Sequence, residues 1–528
     1  MRFPLIPALA LLVFPIISAP LPARAETDAL LRGVQAYVLQ DFPAAMTHLR
    51  PLAEAGTPRA QHIVAVMHRD GLGVPADPDE GLRWLRLAAD QGYPQAQTDL
   101  GVALALGQNV TRDEAGAVAL FRLAAAQDYA PALHNLAWAY RNGISVAPDR
   151  DEAMRLYRAA AQGNHIAAHF ELGEMLRQGA DGAEPDMAAA YLRYRRAAQG
   201  DHPGAAHALG VIYGNGLGVA RDDAEAARWL ARGARLGHVA AQSLLGMAYR
   251  DGRGVPQDHA RAAELWTQAA RAGEPEALNN LGLAYITGRG VARDPERARG
   301  LFGQAAERGS ASGMSNFARM LSDGQGGPAD PALAAHWAAR ASEMGNASAQ
   351  NILGLALVRG HGVPPDPVRA VHWFRQAAEQ GFVPAKANLA RAYAEGIGIA
   401  EDPAAALRWY SAAARQGDAG AQTQLGLIYL LGRGVPVDVP QGLEWSRRAA
   451  VQGDAQAQNN LSFTLAQGQG VPADPVTALM WAELSVHNGH ARSIELRDAL
   501  RNRLTEAQRE TALTRARTCL NTGYRDCG

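Results

Sequence analysis

The 528-residue chain is poor in three residue classes. It has two cysteines, a single lysine and only 6% aromatic side chains. Both cysteines, Cys519 and Cys527, lie at the extreme C-terminus, so neither a disulfide-built scaffold nor a cysteine metal cluster is possible. Lys386 stands three residues after Val383, which excludes a Ser-x-x-Lys acylation site. The formal net charge is −1, and that balance argues against nucleic acid or an anionic bilayer as the main partner. Beyond the first residues, no run is apolar enough to cross a membrane.

What the chain does have is repetition. A leucine followed by a tiny residue recurs about every 36 positions, as at Leu172-Gly173, Leu281-Gly282, Leu353-Gly354, Leu389-Ala390 and Leu425-Gly426. A fixed period of this length is a solenoid signature. In the copy from Ala421 to Gly453, Ala421, Leu425, Ile428 and Tyr429 fall at helical spacing and define one buried stripe. Gly432-x-Gly434-Val435 then ends the helix by supplying positive φ. Asp438 is placed to cap a second helix, where its carboxylate accepts orphan amides. The equivalent aspartate recurs at Asp77, Asp113, Asp149, Asp222 and onward to Asp474. Tryptophan recurs ten residues after the turn, at Trp84, Trp229, Trp337, Trp373, Trp409, Trp445 and Trp481. These large residues are expected to wedge into spaces left by alanine pairs and by the tiny residue of each anchor. The expected architecture is all-α: one continuous right-handed α-solenoid of about thirteen helix-turn-helix units, with no internal linker.

The block Ala421-Gln422-x-x-Leu425-Gly426-x-x-Tyr429-x-x-Gly432-x-Gly434-Val435-x-x-Asp438, closing on Trp445, Ala449-Ala450 and Gly453, resembles a Sel1-like repeat, a longer relative of the tetratricopeptide repeat. The resemblance covers residues 60–492 in twelve copies. It implies a scaffold or regulatory role, and a concave groove that holds peptides or partner proteins. The departures are local. Asn109 and Ser145 replace a turn glycine, and the copy holding Gly179–Pro185 carries one extra residue, which should make its turn bulge.

The ends read differently. Arg2 precedes an apolar run over 3–18, and Ala23-Arg24-Ala25 offers a small-x-small cleavage site. Residues 1–25 therefore read as a secretory signal peptide, and the mature protein is expected in the periplasm or outside the cell, without stable membrane insertion. Residues 26–59 look like a degenerate capping hairpin, and 493–528 like C-terminal capping helices. Thr505-Glu506-Ala507-Gln508 resembles a capping box. In an oxidising compartment Cys519 and Cys527 are expected to pair.

Catalytic templates fit poorly. The Gly-x-Gly turns follow a helix and lack the Lys-Ser/Thr ending of a phosphate loop. His165 and His169 are four apart without the glutamate of a zinc protease. His487 and His490 read as solvated. No metal or cofactor is expected. Cysteine-rich relatives of this family have been described as penicillin-binding or β-lactamase-like, so the competing class is an envelope enzyme of β-lactamase-like or peptidoglycan-acting type. The constellation that stands out is polar: in many copies the residue just before the anchor is polar, as at Asp99, Asn135, Glu171, Asn280, Asn316, Asn388, Gln424 and Asn460. In tetratricopeptide relatives the matching position faces the groove. The amides Asn135, Asn280, Asn316, Asn388, Gln424 and Asn460 are thus expected to form a ladder for an extended peptide, since an amide offers both a donor and an acceptor. Further along the same face stand Arg69-Asp70, Arg141-Asn142, Arg177-Gln178, Arg250-Asp251 and Arg359. Their mixed charge is a source of partner selectivity.

Overall fold

The computed structural model describes residues 21–179 and 184–527. The described residues form 28 α-helices. The apolar run over 3–18 and most of the expected bulged turn, residues 180–183, lie outside them. The first helix, Leu21–Val38, begins ahead of the expected cleavage site. The chain divides into two compact units, Met1–Asp258 and His259–Gly528. Within each, helices pack mainly on their sequence neighbours, which is how tandem repeats build an α-solenoid.

Each copy is a helical hairpin closed by its aspartate. The first helix Ala419–Leu431 ends at Gly432, which adopts φ 69° and returns its N–H to the Ile428 carbonyl. Asp438 then acts twice. Its backbone N–H reaches back to the Tyr429 carbonyl at 2.9 Å, and its carboxylate accepts from Gln441 N at 3.0 Å. The second helix, Val439–Ala450, follows. The same double contact recurs at Asp77, Asp294, Asp366 and Asp474. In the fourth copy the extra residue shifts the cap to Asp186, which accepts from Ala189 N at 2.8 Å. The second turn glycine has another reason. At Gly362, φ is 77° and an added Cβ would lie 2.0 Å from the Pro331 carbonyl of the preceding copy. Asn109 and Ser145 hold the same left-handed conformation at φ 54° and 52°.

The core differs from the tryptophan expectation. Trp84 and Trp481 are buried, but Trp229, Trp337, Trp373, Trp409 and Trp445 are only partly so. Arginines lie over several of these rings, as Arg340 over Trp337 at 4.9 Å and Arg448 over Trp445 at 4.5 Å, contacts that favour an exposed rim. The wedge is one residue further on. Phe121, Tyr194, Phe302 and Phe374, all at most 2% exposed, press against Gly101, Gly173, Gly282 and Gly354. One helical step of 100° carries this neighbour inward and leaves the tryptophan at the edge.

Copies are also tied by buried amides that the sequence reading missed. Gln422 Nε2 donates to the Ala414 carbonyl at 3.0 Å, and its Oε1 accepts from Gln452 Nε2 at 2.8 Å. Gln61, Gln97 and Gln350 repeat the motif. At the C-terminus Gln458 bonds Asn488, and Asn488 Nδ2 donates to the Tyr524 hydroxyl at 2.7 Å. Tyr524 sits inside the loop closed by the Cys519–Cys527 disulfide, over the last helix Glu506–Asn521, whose capping box at Thr505 and Gln508 forms. Replacing both cysteines by serine is expected to cost about 2–3 kcal/mol, from restored chain entropy in a short loop. A lowered denaturation midpoint, with faster amide exchange in Glu506–Asn521, is the readout.

Candidate functional site

Within each unit, the residues before the anchor leucines line up along the first helices. The row is in part a contact between copies. Asn316 Nδ2 donates to Asn279 Oδ1 at 2.8 Å, and Asn388 Nδ2 donates to Asn351 Oδ1 at the same distance. In this register each amide reaches the residue one step earlier in the preceding copy. Geometry then separates the members. Asn280 and Asn460 are buried, at 7% and 9% exposure. Asn460 Oδ1 accepts from Gln456, while its Nδ2 is buried without a partner. Asn316 Oδ1 also accepts from Arg319 at 2.9 Å. Asn135 approaches His134 Nδ1 at 3.3 Å. Gln424 is exposed, and Asn388 is half-buried. Among the described residues, neither the Gln424 amide nor Asn388 Oδ1 has a protein partner.

The acidic members of the row lie in the first unit and are engaged there. Asp99 Oδ2 lies 2.8 Å from His62 Nε2, in the register of the Asn279–Asn316 pair. This His–carboxylate contact is thus the stacking position occupied by different residues. Glu171 pairs with Arg141, and burial outweighs the arginine, holding the carboxyl above its ordinary range. Further along the face, Arg69–Asp70 and Arg250–Asp251 are ion pairs within their own helices, and Arg177 pairs with Glu174 at 2.6 Å.

The first unit also carries a histidine stripe. The residue two before an anchor leucine packs on the N-cap residue of the next copy's first helix: His134 on His165 at 4.7 Å between ring centres, Phe170 on His202 at 4.3 Å, and His207 on His238 at 4.6 Å. Burial lowers every pKa in this stripe, His134 to about 3 and His165, His202 and His207 to about 4. His134 Nε2, His165 Nδ1, His169 Nδ1 and the Tyr157 hydroxyl are buried without partners. Among the described residues, no three His, Cys, Asp or Glu side chains are placed to hold a metal ion. His490, expected in solvent, instead contacts Ser493 Oγ at 2.8 Å and Gln456 at 3.1 Å. Ser310 caps its helix by accepting from Gly313 N. No helix among the described residues is long and apolar enough to cross a membrane.

Residues 58–490 match the Sel1 repeat family in twelve consecutive copies. The chain belongs to that family. Among solved structures, this Sel1-repeat chain is similar to a protective antigen present in uropathogenic Escherichia coli strains. The two share 31% identity over 84% of this chain and 96% of that one, with a TM-score of 0.72. It also resembles a Sel1 repeat protein from Oxalobacter formigenes at 32% identity, covering 58% of this chain and 90% of that one, with a TM-score of 0.43. No curated protein matches it significantly. Sel1-repeat proteins are typically protein-interaction scaffolds, and their solenoid fold is typically non-catalytic.

Proposed function

We propose that this Sel1-repeat protein is an exported, non-enzymatic scaffold or regulator of the cell envelope, which binds an extended peptide or partner protein along its first-helix face. The observation that carries this reading is the set of amide atoms left over once stacking is satisfied. Asn388 uses its donor on the preceding copy and keeps its acceptor; Gln424 keeps both. A backbone peptide group needs that pair of functions and no particular side chain. Export is supported by the apolar run over 3–18 with its small-x-small site, and by a disulfide that persists in oxidising compartments.

Affinity capture of the exported protein tests the reading. Asn388→Ala together with Gln424→Ala is expected to lower recovery of the partner about tenfold, through the loss of hydrogen bonds worth roughly 1 kcal/mol net. Helicity should stay intact, because neither side chain is in the core. Unchanged recovery sinks the proposal. So does turnover of a labelled penicillin or of murein by the purified protein.

A further inference from the structure

Charge is arranged differently on the first-helix faces of the two units. In the first, the charges of the row and its neighbours neutralise each other, as in Arg69–Asp70, Arg141–Glu171 and Arg177–Glu174. In the second, the position three residues after the amide row carries Leu283, Arg319, Leu355, Arg391 and Leu427 in successive copies. Among the described residues neither arginine has an ion pair. Arg319 donates only to Asn316, and Glu395, one turn from Arg391, does not pair with it. The acids of this face lie off the row. Glu276 accepts from Ser310 at 2.7 Å, while Asp323 and Glu395 stand at the far ends of their helices.

Resting on the peptide-binding reading above, we infer that this face takes a polyproline-II segment with a carboxylate at every sixth residue and an apolar side chain midway between. The spacing decides the conformation. First helices of neighbouring copies touch through Asn279–Asn316 and Asn351–Asn388, and packed helices lie roughly 8–10 Å apart. Polyproline II has three residues per turn at about 3.1 Å each, so one edge advances about 9 Å per turn. Every third side chain therefore meets a new copy: a carboxylate at Arg319, an apolar group at Leu355, a carboxylate at Arg391. A β-strand places same-face side chains about 6.6 Å apart and drifts out of step. Polyproline II also leaves its own backbone groups unpaired, which suits the amides of Asn388 and Gln424. A guanidinium facing an unshared carboxylate binds it in a two-pronged geometry that an amide cannot copy.

The test is fluorescence anisotropy on the full chain with a labelled proline-rich peptide carrying leucine and aspartate alternately at every third residue. Its controls are an asparagine-for-aspartate isostere and a scrambled peptide. The periodic acidic peptide is expected to bind at least tenfold tighter than either control. R319Q/R391Q should erase that advantage without changing the isostere's affinity, and R369Q, on a second helix, should change nothing. Equal affinity for the isostere overturns the charge assignment while leaving the peptide reading intact. Equal affinity for the scrambled peptide overturns the polyproline-II register. Binding of none of the peptides overturns both the inference and the reading beneath it. A single-stranded oligonucleotide that displaces the acidic peptide through Arg319 and Arg391 would assign the face to nucleic acid instead.

Discussion

Acidification from pH ~7.5 to ~5 is expected to lower the thermal midpoint of this protein, and to raise amide exchange in residues 130–251 well before residues 311–467. The cause is the histidine stripe. His134 is 4% exposed and is pressed between Tyr157 and His165, with no carboxylate in contact. Charging it leaves an imidazolium buried against a second histidine. The folded-state pKa values of about 3 to 4 lie below the unfolded value of about 6.5. Between these limits the unfolded chain binds more protons, so stability drops as the pH is lowered through that window and levels off below it. For His134 the loss reaches about 2 kcal/mol at pH ~5 and about 3 kcal/mol at pH ~4. The partly exposed His165 contributes less. Local charges modulate the rest: Arg193 and Arg196 near His169 add to the lowering, and Glu174 near His207 opposes it.

The sequence itself supplies the control. Phe170 occupies the place of His134 one copy later, and Tyr129 the place of His165 one copy earlier. H134F/H165Y therefore preserves packing while removing two titrating groups, and the acid-dependent fall in melting temperature should shrink markedly. An unchanged fall would place the acid sensitivity elsewhere. The ion pairs are distinguishable by window, since paired acids such as Asp70 and Asp251 have pKa values held below the ordinary range. Their contribution is lost only at lower pH.

Fold and site were unequally legible in the sequence. Helix ends are set by local chemistry, so Gly432, Asp438 and the Thr505–Gln508 box could be placed by spacing alone. The fourth cap escaped because the extra residue moved it to Asp186. Contacts between copies were hidden for a different reason. Gln422 bonds a carbonyl eight residues earlier and an amide 30 residues later, and only stacking brings those atoms together. The same stacking decides which amides of the row remain available. Identical residue types at Asn280 and Asn388 end up buried in one copy and half-buried in the other. Tryptophan misled because size is conspicuous in a sequence and direction around a helix is not. The residue at that position is variously Phe, Tyr, Trp, Leu, Ser or Ala, and its regularity appears only beside the small residue of the facing helix.

That pairing yields the second large effect. An added Cβ at Gly354 would lie 2.5 Å from the Phe374 ring, which is 1% exposed and has nowhere to retreat. Gly354→Val is expected to destabilise the protein by about 3 kcal/mol, at the upper end for overpacking a filled core. Glycine-to-valine alone does not explain such a loss, because helix propensity favours the valine slightly. Size should compensate across this hairpin, since the ring and the added methyl groups would compete for one space. Phe374→Ala alone should cost about 3–4 kcal/mol by opening a cavity. The double variant should then be more stable than the sum predicts by at least about 1 kcal/mol. Additive losses in that cycle would mean that glycine and aromatic ring do not share one space, and the account of how each hairpin closes would fail with them.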